Sequence, residues 1–239
     1  MRHTDGLTDE QASMESPDLY YEPFDATIKH PFFMTVAGPS QAGKTSFVLN
    51  LLDNWERLVN ENIDYIVWFY GQENSITRVL PKLYGRKQLS VIKGLPDEFE
   101  THIVPFKKGL FIFDDLMTQS SQNASITQLI SNKVHHASLS VISIVQDLFS
   151  PGRERTSYQK SCHYLILFSN PLNNSVAQIV GQRVMPGRQK VFLEIFKHAV
   201  RRPHGYLFID GCQTTPDKAR LKSDIFGSVQ HVYNGGKLT

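Results

Sequence analysis

Short apolar runs recur along the chain between longer polar or mixed segments. Six of them are rich in β-branched and aromatic residues, which favour strands; they are Phe32–Ala37, Tyr65–Tyr70, Leu110–Asp114, Leu139–Gln146, Tyr164–Phe168 and Tyr206–Ile209. The first five begin about 25 to 45 residues apart, which is the spacing of parallel strands joined by helical crossovers. The pattern therefore predicts an α/β fold with a mainly parallel central sheet flanked by helices.

The segments between these runs have helical patterns. They predict helices at Thr45–Leu58, Ile76–Leu83, Ser125–His135, Asn174–Gly181 and Val191–Val200. Residues 1–26 differ, because they are polar and acidic and show no apolar period. Such a composition is typical of a segment that stays disordered or becomes ordered on a partner. We therefore predict an N-terminal arm over residues 1–26 and one α/β domain over residues 27–239.

The first predicted strand runs into an octet with fixed glycine and lysine positions. The octet, Gly38-Pro39-Ser40-Gln41-Ala42-Gly43-Lys44-Thr45, fits the phosphate-loop pattern G-x-x-x-x-G-K-[ST]. Glycines let the backbone turn tightly against phosphate oxygens, and the loop amides and helix dipole attract anions. Lys44 is suited to the β- and γ-phosphates and the Thr45 hydroxyl to Mg²⁺. We predict that this phosphate loop, together with Ser46, binds a nucleoside triphosphate with Mg²⁺.

Paired carboxylates follow the third predicted strand. Asp114 and Asp115 end the run Gly109-Leu110-Phe111-Ile112-Phe113. A buried strand delivers such residues to the carboxyl edge of the sheet, where ligands bind in open α/β folds. Asp114 is the expected Mg²⁺ partner, and Asp115 is placed to orient and activate a water for attack on the γ-phosphate. An ordinary acidic turn after a strand is the alternative reading.

Two further positions are candidates for phosphate chemistry. Gln146 ends the next strand, where its amide could bind the γ-phosphate or the attacking water. Arg153 and Arg155 follow in a Pro-Gly loop, and Arg155 is the preferred candidate for an arginine that a neighbouring subunit inserts into the site. Asn170 follows the fifth strand and is a further candidate for the same kind of contact as Gln146.

Composition limits the class of protein. The chain has 239 residues, of which 41% are hydrophobic and 20% charged, as in ordinary globular proteins. It has no apolar stretch of membrane-spanning length and no signal-peptide core, and its two cysteines lack zinc-site spacing. These features predict an intracellular protein with no membrane association.

Charge is distributed unevenly along the chain. Residues 1–30 carry two basic and seven acidic residues, whereas residues 147–239 carry thirteen basic and six acidic residues. A basic C-terminal part is suited to a nucleic-acid backbone, although a solvated basic surface is an equal alternative on charge alone.

The order and spacing of six segments resemble those of viral genome-packaging ATPases of the FtsK–HerA group. The similarity is greatest to adintovirus- and Polinton-type elements, with poxvirus and adenovirus packaging ATPases more distant. The segments are GPSQAGKTSFVLNLL, IVWFYGQ, LFIFDDL, VHHASLSVISIVQDLF, RTSYQKSCHYLILFSNP and GYLFID. They cover residues 30 to 225, and among them only the phosphate loop is specific by itself.

The resemblance implies a P-loop NTPase fold with an additional-strand sheet of order 5-1-4-3-2. It implies an ATP- and Mg²⁺-dependent ring, pentameric or hexameric, that pumps double-stranded DNA into a capsid through a capsid or portal partner in an infected host cell. Lys44 and Thr45 then match Walker A residues, Asp114 and Asp115 the Walker B pair, and Gln146 the polar sensor. Asp115 departs from the family pattern, in which Glu is common.

Two other classes of function are compatible with the phosphate loop. A small-molecule or nucleoside kinase would need an arginine-rich lid, and the sequence has only the scattered Arg183, Arg188, Arg201 and Arg202. A nucleotide-dependent assembly scaffold would bind the triphosphate without hydrolysing it.

Overall fold

The structure is a computed structural model. It describes residues 19–20, 27–72, 80, 88–96, 98–116, 138–149, 162–228 and 230–234. The predicted helices Ile76–Leu83, apart from Leu80, and Ser125–His135 lie outside these ranges, as does the predicted arm apart from residues 19–20. Within the described ranges, no helix combines the length and apolar character that a membrane span requires.

The described strands form one mixed sheet. They are β1 Leu19–Tyr20, β2 Phe33–Ala37, β3 Tyr65–Tyr70, β4 Gln88–Lys93, β5 Gly109–Asp114, β6 Leu139–Val145, β7 Tyr164–Phe168, β8 Tyr206–Asp210, β9 Leu221–Ser223 and β10 His231–Tyr233. Their order is β1-β10-β9-β8-β7-β2-β6-β5-β3-β4. All six strands from β2 to β7 are parallel, and β8, β9, β10 and β1 follow as antiparallel neighbours.

The predicted fold class is confirmed. When the five core strands are numbered along the chain, the order β7-β2-β6-β5-β3 is 5-1-4-3-2. The sheet is wider than the predicted five-strand order, because β4 extends it beyond β3 and four antiparallel strands extend it beyond β7. Of these four, β8 corresponds to the sixth predicted strand, Tyr206–Ile209. The parallel strands all end at one edge of the sheet, here called the carboxyl edge.

Helices cover both faces of the sheet, and the apolar residues of the strands divide between them. The helices are α1 Lys44–Asp53, α2 Trp55–Leu58, α3 Ser175–Val184 and α4 Gln189–Ala199, with short 3₁₀ turns at Phe99–His102 and Asp217–Ala219. Helices α1 and α2 pack on the face that carries Met34, Val36 and Ile112. Helices α3 and α4 pack on the opposite face, with Phe33 and Phe111. Buried strands with apolar residues on both faces explain the near-continuous hydrophobic runs in the sequence.

The predicted helix Thr45–Leu58 is divided at Asn54. The Asn54 side-chain Nδ2 donates to the carbonyl of Asn50 at 2.9 Å, and the backbone at Asn54 leaves the helical region with φ −105° and ψ 17°. Asparagine competes for backbone acceptors in this way, which makes it a frequent helix terminator. Trp55 then begins the short α2, and its indole Nε1 donates to the Glu61 carbonyl at 2.8 Å.

Helices α3 and α4 contact each other through Gly181. A Cβ atom at this position would lie 2.6 Å from Cδ1 of the Phe192 ring in α4. Because Phe192 is fully buried, its ring has little room to move away.

We expect Gly181→Ala to destabilise the protein, although alanine is the better helix former by about 1 kcal/mol. Overpacking against Phe192 costs about 1–3 kcal/mol and outweighs the gain in propensity. Urea unfolding measures the difference, and the exposed Gln182→Ala in the same helix is the matched control. An increase in the free energy of unfolding for Gly181→Ala would contradict the tight contact.

Candidate nucleotide site

The phosphate loop joins the central strand β2 to α1 at the carboxyl edge. Its backbone takes left-handed conformations at Gln41, with φ 63°, and at Gly43, with φ 104°. The Gly38 amide donates to the carbonyl of Val145 at 3.2 Å, which ties the start of the loop to β6. The Gly43 carbonyl accepts from the amide of Phe47 at 2.8 Å, so α1 begins directly behind the loop. The loop therefore lies at a helix N-terminus, as the sequence predicts, where backbone amides favour an anion.

Lys44 holds its ammonium group inside the loop. Its Nζ donates to the carbonyls of Gly38 and Pro39, both at 2.7 Å, and the residue is only 8% exposed. Burial lowers the pKa of Lys44, and the negative charges of Asp115 and Asp114 act in the opposite direction. Lys44 is thus placed between the loop carbonyls and the two carboxylates.

Asp114 is the last residue of β5 and is buried. Its Oδ2 atom has no hydrogen-bond partner among the described residues. Burial, followed by the charge of Asp115, raises the pKa of Asp114 to about 6, and the indole N–H of Trp68 and the Lys44 ammonium oppose this rise. A carboxylate at the carboxyl edge, beside the phosphate loop, is a ligand of the type that a hard cation such as Mg²⁺ prefers. Asp114 and the Thr45 hydroxyl, on the second residue of α1, are therefore the residues suited to hold the metal.

Asp115 and Gln146 are joined by a short hydrogen bond. The Gln146 Nε2 donates to Asp115 Oδ2 at 2.6 Å, and the Ser40 hydroxyl donates to Gln146 Oε1 at 3.3 Å. The three side chains form a continuous connection between the phosphate loop, β6 and β5. The backbone of Asp115 has φ 54°, a left-handed conformation that aspartate tolerates better than most residues. Gln146 therefore positions the carboxylate that the sequence assigns to water activation.

His204 is a residue of this site that sequence reasoning missed. It lies in the turn between α4 and β8, and its Nδ1 donates to the carbonyl of Ala42 at 3.1 Å. A Cβ atom on Gly43 would lie 3.1 Å from His204 Nδ1, so the imidazole packs directly against the loop. The only local signal is its position just before the apolar run of β8, and that signal does not identify a partner 162 positions away.

The remaining predicted residues have different outcomes. Arg153 and Arg155 lie outside the described residues. Asn170 lines a small cavity together with Gly38, Pro39 and Gln146, but its Oδ1 accepts from the amide of Leu172 at 3.1 Å. Asn170 therefore stabilises its own turn beside the site.

The chain is similar to solved structures of an NTPase and of ATPases. No protein-family model and no curated protein matches the chain. Among solved structures it is similar to the genome packaging NTPase B204 from Sulfolobus turreted icosahedral virus 2 in complex with ATP-gammaS, with 14% identity over 75% of this chain and 92% of that one and a TM-score of 0.49. It is also similar to Thermomonospora curvata EccC (ATPases 2 and 3) in complex with a signal sequence peptide, with 12% identity over 84% of this chain and 37% of that one and a TM-score of 0.44.

The raised pKa of Asp114 predicts a specific dependence of stability on pH. The folded protein holds this proton more tightly than the unfolded chain, so folding stability falls as the pH rises from about 4 to about 6. We expect Asp114→Asn to raise the free energy of unfolding at pH 7 by up to about 3 kcal/mol, because the amide carries no charge. This gain should shrink below pH 6 and vanish near pH 4.

Urea unfolding at pH 7 and pH 4, in EDTA and without nucleotide, measures the effect. The exposed Asp53→Asn serves as a control of the same chemistry. A stability difference between Asp114→Asn and the natural protein that is equal at both pH values would refute the assignment.

Proposed function

We propose that this protein is an ATP-driven DNA translocase that packages viral double-stranded DNA into a capsid. The observation that carries the nucleotide part of the proposal is the convergence of Lys44, Asp114 and Asp115 beside one phosphate loop. Each is buried or half-buried at the carboxyl edge, and the negative charges of both carboxylates favour the charged form of Lys44. This combination of a loop, a cation and two acids is the machinery of phosphoryl transfer in P-loop NTPases.

Each side chain has a defined role in the proposed reaction. Mg²⁺ would supply positive charge that neutralises the β- and γ-phosphates. Lys44 binds the same phosphates with its ammonium group, and Thr45 and Asp114 hold the metal. Asp115 accepts a proton from the attacking water, while Gln146 keeps its carboxylate in place through the 2.6 Å hydrogen bond.

The DNA part of the proposal rests on charge and on the six-segment resemblance. Residues 147–239 carry thirteen basic and six acidic residues, and the described part of this region includes exposed basic residues, among them Arg188, Lys190 and Arg201. Contacts from such residues to backbone phosphates do not depend on base sequence, as a packaging motor requires. In a homo-oligomeric ring, Arg155 of a neighbouring subunit would stabilise charge on the transferring phosphoryl group, and the ring would dock on a capsid or portal protein in the infected cell.

We expect Lys44→Ala to abolish ATP turnover, both basal and stimulated by duplex DNA, because the phosphates lose their fixed positive charge. Phosphate release is measured with and without DNA of several kilobases, and circular dichroism checks that the fold is retained. Lys107→Ala, exposed just before β5 at the opposite edge of the sheet, is the matched control and should turn over normally. Retained DNA-stimulated turnover in Lys44→Ala would overturn the assignment.

The same assay tests the wider proposal. Long duplex DNA should raise turnover by the natural protein, and the mass in solution should increase to a ring when ATP and Mg²⁺ are added. Stimulation should fall steeply with salt, because phosphate contacts release counterions. Turnover that is indifferent to DNA, or a phosphorylated small-molecule product, would contradict translocation.

We expect Asp115→Asn to lower kcat by a factor of about 100 or more while ATP binding is retained. Asparagine has nearly the same shape but accepts no proton from water. Single-turnover hydrolysis and a separate ATP titration distinguish the two effects. Asp217→Asn, an exposed carboxylate beyond the opposite edge of the sheet, is the control. Weakened ATP binding with unchanged hydrolysis of bound ATP would assign Asp115 to binding instead.

A further inference from the structure

An open cavity of about 290 Å³ lies at the carboxyl edge, on the antiparallel side of the sheet. The lining includes Arg202 from the turn before β8, Asp224, Phe226 and Ser228 from the segment between β9 and β10, and the first residues of β8 and β10, Tyr206 and His231. The pairing of the strands shows where in the sheet this cavity lies. Tyr206 pairs with Phe168 at the end of β7, and His231 pairs with Ser223 at the end of β9. The cavity and the phosphate loop therefore open at the same edge.

The phosphate loop has a different neighbour on each of its two sides, and these neighbours indicate how a nucleotide would lie in it. On one side, the Ser40 hydroxyl reaches Gln146, which binds Asp115. On the other side, the carbonyl of Ala42 accepts from His204. In the proposed function the γ-phosphate must face Asp115, so the nucleoside leaves the loop on the His204 side.

The cavity lies on this same side of the phosphate loop. The Phe47 ring, in the first turn of α1, lies 4.9 Å from the Tyr206 ring and 5.1 Å from the Phe226 ring, measured between centroids. Tyr206 and Phe226 both line the cavity. The wall of the cavity is thus built directly on the helix that starts at the phosphate loop.

The lining suits a nucleoside. Phe226 is half-buried and offers an apolar ring to a flat base. Asp224 contacts Arg202 at 3.5 Å and His231 at 3.4 Å, and both contacts use its Oδ2 atom. Asp224 lines the cavity, and a carboxylate oxygen accepts hydrogen bonds from ribose hydroxyls.

We propose that this cavity binds the base and ribose of the nucleotide, with Phe226 against the base and Asp224 facing the sugar. This inference rests on the proposed function, because it requires a triphosphate in the phosphate loop. It assigns to the antiparallel strands a part in binding that the phosphate-loop motif does not reveal.

Comparison of ATP with inorganic tripolyphosphate tests the inference, since tripolyphosphate has the phosphates without the nucleoside. Binding of each, with Mg²⁺, is measured by calorimetry on the full chain. Phe226→Ala removes the proposed stacking surface, and Ser228→Trp fills the cavity from an exposed position while leaving the buried rings in place. Gln213→Trp, exposed in the loop after β8 at the opposite edge, is the matched control for the bulky substitution.

We expect Phe226→Ala and Ser228→Trp to weaken ATP binding by about tenfold or more, as loss of base stacking does. Tripolyphosphate binding should stay within about twofold of the natural protein in both variants, because the phosphate loop is untouched. Lys44→Ala should weaken both ligands, and Gln213→Trp neither.

The possible failures are distinguishable. Natural protein that binds ATP, with both cavity variants binding it equally well, overturns the inference and leaves the proposed function standing. Equal losses of ATP and tripolyphosphate in the cavity variants also overturn it, because the substitutions would then act on the loop. If the natural protein binds neither ligand, the proposed function itself fails and the inference fails with it.

Discussion

A buried ammonium group at the start of α1 is the interaction on which the arrangement of the site depends. A charge removed from water costs several kcal/mol unless it is paired and hydrogen-bonded. Lys44 has both kinds of compensation: two loop carbonyls accept its hydrogen bonds at 2.7 Å, and Asp114 and Asp115 favour its charged form. Because these partners come from the loop and from β5, the charged lysine is tolerated only where both reach the same edge.

The order of the strands brings the phosphate loop and the end of β5 together at this edge. Strand β6 lies between β2 and β5, and its last carbonyls continue the hydrogen bonding beyond both neighbours. Ile144 accepts from the amide of Asp115, and Val145 accepts from the amide of Gly38, each at 3.2 Å. Gln146 is the next residue of the chain, so it must lie between the phosphate loop and Asp115. The left-handed backbone at Asp115 is a conformation that aspartate tolerates better than most residues.

Local signals made the phosphate loop and the core strands predictable. Strand β3 has its predicted bounds because apolar residues fill both its faces, whereas β4 was missed because it carries half-exposed residues such as Val91 and the exposed Ser90. Strands β9 and β10 have three residues each, too few to show a period. The location of Gln146 at the carboxyl edge follows from its position at a strand end, but its direct bond to Asp115 depends on tertiary geometry. The contact of His204 with the phosphate loop also depends on tertiary geometry, because no periodicity in the sequence indicates it.

The antiparallel direction of β8 has a consequence for the whole carboxyl edge. A parallel strand beside β7 would begin at the opposite edge and carry its preceding turn away from the site. Because β8 is antiparallel, the turn that contains His204 lies beside the phosphate loop, and the segment between β9 and β10 returns to the same edge. Packing of Tyr206 and Phe226 on Phe47 then fixes these distant segments against α1. In the proposed function the parallel half of the sheet thus carries the residues for phosphate and metal binding, and the antiparallel half builds the surface next to them.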